Sequence, residues 1–77
     1  MKVNKRKLGR EKAYGLAHQD DNLIEIDPRL KGRLQLEIYI HEALHLLYPK
    51  LSESQVLKDS KKVTSMLWKE GYRKIEK

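Results

Sequence analysis

His41, Glu42 and His45 stand in the run IYIHEALHLLYP, two imidazoles four residues apart with a carboxylate directly after the first. On a helix, residues four apart share a face with Cβ atoms roughly 5 to 6 Å apart, which lets two imidazole nitrogens reach one divalent ion at about 2.0 to 2.1 Å. Glu42 is then turned about 100° from His41, beside the ion and not on it. From there it can take a proton from a metal-bound water and act as general base. The ion's share is to lower that water's pKa from about 15.7 to roughly 7 and to polarise the carbonyl under attack. The plain alternative is a pair of half-buried helix histidines satisfied by carbonyls or carboxylates, with Glu42 facing solvent. Against it, the chain has only three histidines and spends two of them at helical spacing.

A catalytic zinc takes three protein ligands and keeps a fourth position for water, so a third donor is required. Glu53 and Asp59 compete, lying about 60° to either side of the stripe through Val56, Val63 and Leu67, so angle does not separate them. Glu53 opens its helix across a short link from the end that carries His45, and it has the longer reach. It is also explained as a first-turn acid favoured by the helix dipole. Asp59 is deeper and shorter, and can instead accept the outer N–H of a ligating histidine. His18, as a fourth donor, would close the sphere and make the zinc structural; it reads equally well as surface on a strand.

Two helices and a hairpin must position these groups. KAYGLAH and NLIEID, separated by the polar QDD, read as a β-hairpin. Asp27 is a candidate N-cap with Pro28 at the first helical position, Gly32 delays the regular helix by a turn, and Pro49 ends it. Leu36, Ile40, Ala43, Leu44 and Leu47 give this helix an apolar face of its own. A second helix opens at Ser52, with Gln55 completing a capping box, and runs to Glu70 with Gly71 as its stop. Its core stripe is Val56, Val63 and Leu67 with Met66 alongside, and the short PKL link folds it back antiparallel. Trp68 and Tyr72 are assigned to packing.

The chain has 77 residues, enough for one domain spanning 1–77 with a small core and basic ends, 1–7 and 74–77, free to move. Metal binding would therefore bear on folding as well as chemistry. Lys and Arg number 17 against 11 Asp and Glu, a formal charge of +6, which fits solubility and weak nonspecific nucleic-acid contact through the ends. There is no cysteine, so disulfides, thiolate ligation and cysteine catalysis are excluded. No apolar run follows the basic start and none is long enough to span a bilayer, so a cytoplasmic protein without membrane contact is expected.

The stretches LGREKAYGLA, IEIDPRLKGR, IHEALHLLYP, LSESQV and LWKEGYR, across roughly residues 8 to 73, together resemble the zincin metallopeptidases, and within them the small HExxH proteins of phages and prophages. The resemblance implies an α+β fold in which a hairpin or small sheet packs on an active-site helix and an antiparallel C-terminal helix. It implies zinc held by His41, His45 and Glu53, Glu42 as the catalytic carboxylate, a peptide or protein substrate, and the host cytoplasm if the chain is phage-encoded. A glutamate ligand places it near the gluzincins, although Glu53 follows His45 by only eight positions and larger gluzincins take theirs from much further along. In such enzymes substrate lies along a strand edge. AYGLA or LIEI would supply that edge, with Gly15 and Ala17 permitting close approach. Tyr39 and Tyr48 are assigned to packing ahead of oxyanion stabilisation, and Arg10 to an ion pair or a substrate contact. The rival reading is a basic nucleic-acid-binding or regulatory module whose metal only staples the fold.

Overall fold

Leu23–Ile26 is the strand on which the sheet is built. The computed structural model describes residues 1–11 and 13–75. In chain order it contains β1 (Lys2–Lys5), a 3-10 turn (Gly9–Glu11), β2 (Gly15–His18), β3 (Leu23–Ile26), α1 (Gly32–Leu47) and α2 (Glu53–Lys69). The fold is α+β, a three-stranded mixed sheet with two antiparallel helices. β3 is central in the order β1-β3-β2, antiparallel to β2 as the hairpin reading required and parallel to β1. Among the described residues no helix is long and apolar enough to cross a membrane.

β1 overturns the expectation of a loose basic start. All four of its residues are exposed, so burial does not hold it. Backbone pairing with β3 does, with Val3 beside Ile24 and Lys5 beside Ile26. At the other end Lys74 and Ile75 are exposed without regular structure, and the remainder of 74–77 lies outside the described residues.

Successive strand residues face opposite sides of a sheet. Ile24 and Ile26 therefore turn together toward the helices, where with Leu30 they pack against Ala17, Ile38, Tyr39 and Leu46. Glu25 turns the other way and is still buried, because Asn4, Arg6 and His18 close over its carboxylate. Hydrogen bonds from Arg6 and then His18 pull its pKa down to about 2. Asp27 does not cap α1. Its carboxylate accepts the backbone N–H of Leu8 and of Arg29 and pairs with the Arg29 side chain, which ties the N-terminal segment to the β3–α1 connection and holds the acid well below the usual range.

α1 starts where Gly32 takes φ +61°, a left-handed conformation that glycine adopts without strain. Its buried residues are Gln35, His41 and Glu42. The expected stripe of Leu36, Ile40, Ala43 and Leu44 is only half-buried, and Leu47 is exposed. The reason is that α1 is held on two sides, by the sheet and by α2, and its polar residues lie along those two lines of contact. α2 differs in the same way: Val56, Ser60 and Thr64 are buried, whereas Val63 and Met66 are exposed. Small side chains four apart let the helix axes approach. Ser52 caps α2 by accepting the Gln55 N–H, but the Gln55 side chain turns to Asp59 and leaves the capping box half made. Gly71, at φ +88°, closes the helix, its N–H on the Trp68 carbonyl and that of Tyr72 on the Leu67 carbonyl. Trp68 is half-buried, with its ring near Gly32, but Tyr72 is exposed and is no core aromatic.

β2 comes closest to α1 at Gly15, where a Cβ would stand 2.7 Å from Glu42 Cγ and 2.8 Å from Ile38 Cγ2. Gly15→Ala should therefore cost about 1–3 kcal/mol by overpacking, read from urea midpoints. The Glu25 carboxylate has a depressed folded pKa, so its contribution is complete above about 4.5 and lost as pH falls toward 2. Metal-free Glu25→Gln should be less stable than wild type at pH 7, and the difference should shrink across that window.

Candidate metal centre

His41 and His45 lie on successive turns of α1, and Glu53 is the first residue of α2. Pro49 ends α1, and the Leu51 N–H on the Tyr48 carbonyl tightens the link. The chain reverses in few enough residues to bring Glu53 back over both rings. Glu53 Oε1 is 2.9 Å from His41 Nε2, Glu53 Oε2 is 2.7 Å from His45 Nε2, and the two Nε2 atoms are 3.2 Å apart. Among the described residues this is the one group of three or more such side chains able to hold an ion. Asp59 is not in it, because its carboxylate serves Gln55. His18 is not in it either, its Nε2 lying 2.7 Å from Glu25 Oε1 on the far face of the sheet.

The donor set fits zinc. Four ligands at about 2.05 Å in a tetrahedron stand about 3.3 Å from one another, close to the spacing of the two nitrogens. Without an ion the arrangement is poorly satisfied, since His41 Nε2 faces both a carboxylate oxygen and a second imidazole nitrogen and carries at most one proton. A cation at the common point meets all three lone pairs at once.

The surroundings orient the rings. Ser60, fully buried on α2, has its Oγ 3.5 Å from His41 Nδ1 and donates to the Leu57 carbonyl. Its oxygen can therefore accept only from Nδ1–H, which would leave the Nε2 lone pair available to a cation. The contact to a histidine's outer nitrogen expected of Asp59 is made by Ser60. On the other side, Gln19 at the start of the hairpin turn donates to the His45 carbonyl at 3.1 Å. Neither Ser60 nor Gln19 was signalled by sequence, since both are ordinary surface residue types.

Glu42 is buried against Gly15 and makes no hydrogen bond to a described residue. Burial pushes its carboxyl above the usual range; the two imidazoles oppose that shift and the Glu53 charge adds to it. A carboxylate short of solvation and beside a metal position is suited to accepting a proton. Tyr39 packs on the core as expected, whereas Tyr48 is exposed and packs little; Arg10 is exposed on the 3-10 turn. LIEI is central in the sheet and is no edge, which leaves β2, bonded only to β3 among the described residues, as the edge beside α1.

Compared with known proteins, the chain matches no family model, no curated protein and no solved structure. The functional reading is carried by this geometry alone.

Zinc at a hundred times its dissociation constant should stabilise the chain by about 2.7 kcal/mol, seen as a raised melting temperature. His45→Ala and Glu53→Ala should abolish the shift and Asp59→Ala should keep it. Retention of full zinc affinity by Glu53→Ala would remove Glu53 from the ligand set.

Proposed function

We propose that this chain is a zinc-dependent peptidase in which His41, His45 and Glu53 hold the metal and Glu42 is the general base. The observation that carries the reading is the convergence of three donor atoms on one point while a buried, unpaired carboxylate follows the first ligand on the same helix. Zinc, when bound, supplies Lewis acidity and makes water a nucleophile near neutral pH. Glu42 accepts the proton of the attacking water and returns one to the departing amine. Its burial favours the first step, because a carboxyl raised above its usual range is a stronger base than a free carboxylate.

β2 is suited to hold the substrate. Its free edge offers backbone N–H and C=O groups along Gly15–His18, where an extended peptide can pair as an added strand. Gly15 has no side chain for a structural reason, the contact with Glu42 and Ile38, and the same contact sets the distance between that edge and the base. The reading of a metal that only staples the fold needs a fourth protein ligand. The described residues gather three, and His18 is engaged with Glu25.

Glu42→Gln should bind zinc with unchanged stoichiometry and cleave an unfolded protein substrate at least about a hundredfold more slowly. His45→Ala should lose both properties. Wild-type cleavage by the Gln variant would remove Glu42 from the mechanism, and a zinc-loaded wild type that cleaves no unfolded protein would end the peptidase proposal.

A further inference from the structure

Away from the metal donors, where the start of α1 meets the end of α2, lies a cavity of about 310 Å³ lined by Tyr39, Trp68 and Tyr72 together with Gln35, Arg73 and Lys74. Its size lies at the lower end of small-molecule sites, and no metal donor lines it. Three aromatic rings border it, of which Tyr72 is the exposed one. The Arg73 guanidinium lies 3.4 Å from the centroid of the Trp68 ring and is pinned there by donating to the Trp68 and Tyr72 carbonyls. Gln35 is buried, its amide N–H donates to the Leu30 carbonyl, and its side-chain oxygen has no partner among the described residues. α1 opens beside the cavity at Gly32 with no side-chain cap and no acid in its first turn, so its N-terminal dipole adds to the charges of Arg73 and Lys74.

We propose that this cavity receives one base of single-stranded nucleic acid, with the adjoining phosphates against Arg73 and Lys74. An unstacked base is recognised by stacking on aromatic rings or a guanidinium plane and by hydrogen bonds to its edge. The Gln35 oxygen accepts from a base N–H or amino group, and the net charge of +6 draws in the backbone. The apolar side chain of a peptide would fill the same space but would cover the Gln35 oxygen without bonding it and leave the cations without a use.

Trp68 is the chain's one tryptophan, so its emission reports the cavity directly. Titrating the full chain, with and without zinc, with a short single-stranded oligothymidylate should quench Trp68 saturably in both cases, more weakly as salt rises. Tyr72→Ala should weaken binding by about tenfold or more, the effect of losing one stacking partner. Tyr72 is exposed, so this variant folds even if Gln35→Ala, which should weaken binding likewise, does not. Lys2→Ala should leave the zero-salt affinity within a fewfold. Oligonucleotide binding with unchanged Trp68 emission would overturn the proposal. So would indifference to Tyr72→Ala, or quenching by a phenylalanine-containing neutral peptide and not by the oligonucleotide. Because binding is read in the zinc-free chain, its failure is separate from any failure of the peptidase reading.

Discussion

The approach of α2 to α1 is the constraint on which the rest depends. Three donor atoms from His41, His45 and Glu53 meet only because Val56, Ser60 and Thr64, spaced four apart, keep the facing side of α2 narrow. Among the described residues the buried apolar set is Leu8, Ile24, Ile26, Leu30 and Val56, and the buried polar set is larger. A core of this size leaves a small domain with roughly 3–5 kcal/mol at most. The stabilisation from a ligand that binds only the folded chain is therefore large relative to the whole. An ion held by His41, His45 and Glu53 would act on the fold and on the chemistry through the same contacts.

The sheet works on both faces of this arrangement. Toward α1, Gly15 removes a side chain so that β2 can lie against Glu42, which desolvates the carboxyl and sets the free strand edge beside it. On the opposite face, Glu25 gathers Asn4 from β1, Arg6 just beyond it and His18 from β2, so a buried acid cross-links all three strands where no apolar layer covers them. Asp27 does the same for the connection into α1 by holding Leu8 and Arg29. A short basic segment whose one buried apolar residue is Leu8 is thus fixed largely by the carboxylates of Glu25 and Asp27.

What the sequence disclosed was local. The four-residue spacing of His41 and His45, the Ser52 cap and the Gly71 stop are written within one or two helical turns, and Glu53 follows from the shortness of the link between the helices. Residues that act through tertiary contact were not legible. Apolar periodicity reports where hydrophobic side chains fall and not which side a neighbour will cover, so the line through Leu36, Ile40 and Leu47 was mistaken for the buried face of α1 while Gln35, His41 and Glu42 occupy it. β1 left no trace because its partner is a strand some twenty positions away and its side chains stay in water. Asp27 resembles a helix cap because a cap and a tertiary tie use the same carboxylate chemistry, and only the position of Leu8 distinguishes them.

The two ends of the helix pair are linked by that polar line. Gln35 is near one end of α1 and His45 near the other, with His41 and Glu42 between, all on one helix. Each of the four is held by something outside the helix: Gln35 by the Leu30 carbonyl, His41 by Ser60, Glu42 by the wall at Gly15, and His45 by Glu53 and by Gln19 on its carbonyl. A shift of this helix would therefore move the His41–His45 pair and the Gln35 wall of the cavity beside Trp68 together.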